Sequence, residues 1–242
     1  MKRGSFKIGN LTSESINAVI VNFPVVGIPN RKYTLNDSSV GLDRSILFDD
    51  NSYENRKISL TIGFKESKTD VNERIAKLMA SIDKGEYVDL VLYSDYKYTY
   101  QVIRSAEVSV TRPAANSEYR EISLEFSAAP YKYLADVEKS TIGINNVTLT
   151  NPTLFKAKPR IKIVGSGKII LTVNGEQFIF NDVDESIELD SSLQSVYKMS
   201  DGKAINQNNK MIIGPFPELK PGTNNIKVSS GTATIEPRWR TL

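Results

Sequence analysis

The sequence predicts a mainly β chain of two β-sandwich domains, the first with one amphipathic helix and a long belt-like arm hairpin. Three features point there. Apolar and polar residues alternate with period two through most of the chain, one stretch alone changes to helical period, and the texture changes near residue 134.

The elements follow in order. From Pro29 to Asn55 the chain is polar and turn-rich, with a short apolar core at Ile46, Leu47 and Phe48. A segment this long is unusual as a mere connection in a compact domain. It is expected to form a protruding hairpin that pairs with something outside its own domain. In RKISLTIGF, Ile58, Leu60, Ile62 and Phe64 alternate with Lys57, Ser59, Thr61 and Gly63, as a strand with one buried face requires. YVDLVLY and REISLEFS repeat the pattern. Between RKISLTIGF and YVDLVLY, TDVNERIAKLMASIDKG places Val71, Ile75, Leu78, Met79 and Ile82 at helical spacing. Asp70 with Glu73 suggests a capping box, and Gly85 a C-terminal stop, so a helix of about three to four turns is expected to cover the sheet.

The domains expected are residues 1–133 and 134–242. Around the boundary, between residues 127 and 160, Pro130, Pro152 and Pro159 sit among small polar residues before strands resume in RIKIVGSGKIILTVNGEQFIF. Asn174-Gly175 between alternating runs predicts a tight hairpin turn. IELD, KMIIG, NNIKV and TATIEPRW supply further short strands, enough for a sandwich.

Composition excludes much chemistry. The 242 residues contain no cysteine and no histidine. Disulfides, thiolate nucleophiles, serine–histidine and cysteine–histidine machinery and the usual zinc sites are therefore ruled out. The basic start MKRGSFKIGN is not followed by the apolar run of a secretory signal, and no apolar run is long enough to span a bilayer. The net charge of +3 is not that of a dedicated nucleic-acid binder.

Individual motifs give no catalytic constellation, and no cofactor or metal is implied. Asp182, Asp184 and Glu185 lack the spacing of a calcium loop and read as a solvated turn, as do Asp49 and Asp50. GSGK around Gly165 and Gly167 runs straight into a strand, not a helix, and reads as a hairpin turn instead of a phosphate loop. Tyr96, Tyr98 and Tyr100, with Tyr93 nearby, are read as alternating along one strand face for packing or subunit contact.

The C-terminal stretch carries a resemblance. VNGEQFIF, SIELDSSLQSVY, NQNNKMIIGPFPELKPGTNNIKV and IEPRWRTL occur in order from Val173 to Leu242. This stretch resembles the C-terminal domain of the distal tail protein (Dit) family of siphophages, the long, non-contractile-tailed phages, infecting Gram-positive bacteria. The first half matches in organisation: basic start, belt-like loop, one helix, and a strand ending in APYKY.

The resemblance implies a virion structural protein at the distal end of the tail, made in the host cytoplasm. It implies a first domain forming a homohexameric ring and a galectin-like or carbohydrate-binding-module-like second domain projecting outward. Such a baseplate hub joins the major tail protein to the tail-tip (tail-associated) protein and anchors receptor-binding or upper-baseplate proteins. DNA passes only in transit and no membrane insertion is implied. Arg31, Lys32, Tyr33, Leu35, Arg44, Ile46 and Phe48 are then expected to form an intersubunit arm that adds to a neighbour's sheet.

In the last strand Pro237 demands an edge, strand end or bulge. Trp239 is expected to alternate inward and close the second domain, with Arg238 and Arg240 on the opposite face as its closure or docking residues. The alternatives are a module that binds cell-surface glycans directly and, with no positive support in the sequence, an enzyme acting through carboxylates or a serine–lysine pair.

Overall fold

The structure is a computed structural model and describes residues 1–37, 41, 43–66, 70–212 and 214–242. The chain divides into two compact units, Met1–Ala135 and Asp136–Thr241. Among the described residues strands predominate and one α-helix occurs.

The first unit is built on one antiparallel sheet. Its strands run in the order Leu11–Thr12, Phe6–Ile8, Val88–Leu92, Tyr98–Arg104, Tyr119–Leu134, Arg56–Lys65 and Ala18–Ile20. Period two decides which face is buried: Ile58, Leu60, Ile62 and Phe64 pair across the sheet with Phe126, Leu124, Ile122 and Arg120, and the seven apolar residues are buried. Over this face lies the helix Val71–Ile82. Its Val71, Leu78 and Ile82 are buried, and Ile75 and Met79 pack partly buried against the same cluster.

Asp70 caps the helix by accepting from the Asn72 amide. Glu73 instead pairs with Lys77 one turn on, so the capping box does not close. The period-based reading also missed Arg74, which is buried on the apolar stripe. Its guanidinium stacks over Phe64, and its two Nη atoms donate to the carbonyls of Ile16, Asn17 and Lys65, while the buried Nε has no partner.

The second unit contains two sheets. Six strands run in the order Ser140–Ile142, Thr232–Glu236, Arg160–Val164, Ser186–Asp190, Ser195–Ser200, Lys203–Asn206, and four in the order Val147–Asn151, Gly222–Val228, Gly167–Val173, Glu176–Val183. Each sheet buries one face: Ile161, Ile163, Leu189 and Ile235 on the first, and Ile169, Leu171, Phe178 and Phe180 on the second.

Three expectations change here. Gly165-Ser166-Gly167 does not close a hairpin, because the strands on its two sides belong to different sheets. It is a corner, and Gly231 crosses it so closely that a Cβ there would stand 2.2 Å from the Val164 carbonyl oxygen. KMIIG is not a strand: Met211 makes one bridge to Phe180 after a 3-10 turn at Asn208–Lys210, and Ile213 lies outside the described residues. The tyrosines do not form one row either. Tyr93–Asp95 is a 3-10 turn, Tyr96 is exposed beyond it, and the strand begins only at Tyr98.

Candidate assembly surfaces

The segment 29–55 forms an isolated two-stranded hairpin, Arg31–Asn36 against Ile46–Tyr53. Part of its tip, residues 38–40 and 42, lies outside the described residues. The first strand alternates, with Tyr33 and Leu35 on one face, but the second does not, since Ile46, Leu47 and Phe48 are consecutive, and the register explains the consequence. Leu35 pairs with Leu47 and Tyr33 with Asp49, so these share one face; Phe48 pairs with Thr34 and Ile46 with Asn36 on the other. Both faces therefore carry large apolar side chains. Tyr33, Leu35, Ile46, Leu47 and Phe48 are all exposed. A two-stranded hairpin with no third strand is marginal in water.

Polar contacts at the root hold the hairpin's direction. Arg31 donates a fork to Asp49 (Nε to Oδ1 at 2.9 Å), and its Nη1 donates to the Tyr53 hydroxyl at 3.1 Å. Those side-chain hydrogen bonds hold the Asp49 carboxyl below its usual range and raise the Arg31 guanidinium. Tyr53 meets Tyr131 edge-on with centroids 5.8 Å apart. Asn55 donates to Tyr87 and Ser127.

Beneath the root lies a half-buried polar cluster that sequence reading missed. The long strand Tyr119–Leu134 is bulged between Ala128 and Lys132, and the freed Pro130 carbonyl accepts from Arg56. Arg56 stacks over Tyr100, whose hydroxyl donates to Asp95 at 2.5 Å, and Lys132 donates to the same carboxylate at 2.7 Å. Burial first, and then Asp95, pushes the Tyr100 phenol upward. No local pattern announces a group drawn from four separate elements.

Of the expected arm residues, Arg31 sits at the root, while Lys32, Tyr33, Leu35, Ile46 and Phe48 lie exposed along the strands. Arg44 lies in the connecting turn, also exposed.

At the C-terminus the strand Thr232–Glu236 stops immediately before Pro237. Arg238 adopts a left-handed φ of 53°, so the alternation expected through Trp239 does not occur. Trp239 is nonetheless buried, 6% exposed. Arg238 Nη1 bridges both oxygens of buried Asp190 at 3.0 and 2.9 Å, and Arg240 Nε donates to the Lys156 carbonyl at 2.7 Å. The two arginines thus hold different parts of the second unit.

Asp184 and Glu185 both meet Lys198 on an exposed turn, and among the described residues no cluster suited to a metal ion occurs. The outer face of the six-stranded sheet carries a groove of about 240 Å³ lined by Lys139, Arg160, Lys162, Glu188, Thr234 and Glu236. Among the described residues no helix is long and apolar enough to cross a membrane.

No family model and no curated protein matches this chain. Among solved structures it is similar to the Dit (gp 19.1) protein of SPP1, described as a paradigm of the hub adsorption apparatus in Gram-positive-infecting phages. The TM-score is 0.62 at 12% identity, with 96% of each chain covered. The chain thus shares its fold with that protein over 96% of both lengths.

Proposed function

We propose that this chain is a structural distal tail protein, the baseplate hub of a siphophage. In this reading it forms a homohexameric ring in the virion that joins the major tail protein to the tail-tip protein. It anchors receptor-binding or upper-baseplate proteins and lets DNA pass through its channel without catalysis. The observation that carries the proposal is the fold likeness to a tail hub protein over 96% of both chains.

The arm adds support. A head-to-tail ring needs each subunit to reach the next, and a hairpin with apolar side chains on both faces is suited to burial by another chain. Near-neutral charge suits a conduit, since each phosphate neutralised would add a salt-dependent attraction. The second unit, galectin-like in this reading, serves as the docking platform, with Arg238, Trp239 and Arg240 closing it.

Mass measurement in solution with negative-stain imaging tests the proposal: rings with a central hole are expected, and a monodisperse monomer at high concentration overturns it. Removal of residues 32–51 is expected to leave a folded, soluble monomer.

A second reading, direct glycan binding, draws on the mixed-charge groove, where Arg160 also stacks over Tyr197 at 5.9 Å. Binding of the full chain to a glycan array, lost in Glu188→Gln, would favour it.

A further inference from the structure

We infer that an apolar edge of the first unit, formed by Val19, Val21, Phe23, Val25 and Ile28, is the seat for the arm of a second copy of this chain. The inference rests on the arm being an intersubunit element. From Ser15 to Asn30 the sequence holds no charged residue. The strands Ala18–Ile20 and Val25–Val26 both pair with Arg56–Lys65, and the apolar side chains between and beside them point outward. Phe23 is 75% exposed, Val25 67% and Ile28 86%. Exposed apolar side chains gathered along one strip of the sheet in this way point to an interaction site.

Charge identifies the occupant. Beside Val19 opens a cleft of about 250 Å³ that brings together Lys2, Arg3 and Lys65, with Glu14 as the acidic group in its lining. Lys65 stands 3.8 Å from Glu118. The edge is thus apolar with a basic flank. The outer part of the arm is its counterpart: Asp37, Asp43 and Asp50 against Arg44 flank the apolar run Ile46, Leu47 and Phe48, while Asp49 is already paired with Arg31 and Lys32 lies toward the root. Arm and edge are different surfaces of one chain, so their union is head-to-tail, the contact from which a ring is made.

The backbone fixes the kind of contact. Outward amides of Ala18 and Ile20 already donate to the carbonyls of Ser13 and Gly4, and Pro24 has no N–H to give. No continuous ladder can form along this edge. The arm is held there by side chains and charge, not by the strand addition expected from the sequence.

The full-length protein tests this by mass photometry and sedimentation. Phe23→Asp with Ile28→Asp is expected to give monomer with little change in melting temperature, since both side chains are largely in water and Phe23 gives up only an edge contact with Tyr93. Asp43→Lys with Asp50→Lys is expected to weaken assembly about tenfold, and adding Arg3→Glu with Lys65→Glu to recover it. Assembly as in the unmodified chain for the Phe23/Ile28 variant, or no recovery on combining the reversals, overturns the seat. If the seat variants assemble normally while removal of residues 32–51 abolishes assembly, the seat is elsewhere and the arm keeps its role. If the arm-deleted chain also assembles, the intersubunit reading itself falls.

Discussion

Two hairpins of this chain have strands of similar length, and they differ in what covers them. Gly167–Val173 and Glu176–Val183 turn at Asn174 and Gly175, both with left-handed φ, of 51° and 88°. Every second residue faces inward, and Ile169, Leu171, Val173, Phe178 and Phe180 are buried. In the arm, Arg31–Asn36 and Ile46–Tyr53, apolar residues fall on both faces and nearly all side chains are exposed. Strict alternation lets a hairpin bury itself against its own sheet. Its loss in the second arm strand leaves apolar side chains in water on both faces, the surface that the proposed assembly would cover.

The largest expected contrast lies in the side chains. Phe180→Ala is expected to destabilise the chain by about 3–5 kcal/mol in denaturant unfolding, and Trp239→Ala by a similar amount. Phe48→Ala and Leu35→Ala are expected to change it by no more than about 0.5 kcal/mol while abolishing assembly. A large unfolding cost for the arm variants would mean that the arm packs against its own unit, which would erase the contrast.

The turn comes next. Gly175→Ala forces a side chain into a left-handed conformation and is expected to cost about 1 kcal/mol, measured the same way. Gly41→Ala in the arm's turn is expected to leave unfolding unchanged, because the arm contributes little to the folded unit.

The smallest effect is acid sensitivity of the arm root. Arg31 depresses the Asp49 carboxyl, so the pair's contribution is full above the ordinary aspartate value of about 3.9 and is lost as pH falls through the lower folded value. Hydrogen exchange is expected to show the amides around Asn51 and Tyr53 loosening below about pH 4, with those around Asn174 unchanged. Simultaneous loosening would assign the change to global unfolding.

Much of the fold was legible because it depends on local pattern. Ile58 to Phe64, the helix stripe and Asn174-Gly175 each reveal their state within a few residues, since side-chain period and turn sterics act over that range. The arm was legible as an anomaly, polar and long without alternation. Less legible were groups assembled across distance. Arg74 faces inward at a position where helical period predicts only packing, and Arg56, Asp95, Tyr100 and Lys132 meet through a bulge that no motif signals. The uncharged run Ser15–Asn30 was a visible signal for the exposed edge, but a short apolar stretch reads equally as core.

The C-terminus marks the division. By itself the sequence determined that Pro237 must end the strand, because proline has no amide to give a ladder, and that an apolar ring as large as Trp239 favours burial. Only the tertiary structure decided that Arg238 turns left-handed to reach Asp190 while Arg240 secures Lys156. Both partners lie tens of residues away in sequence, and charge pairing follows distance in space, which the fold sets.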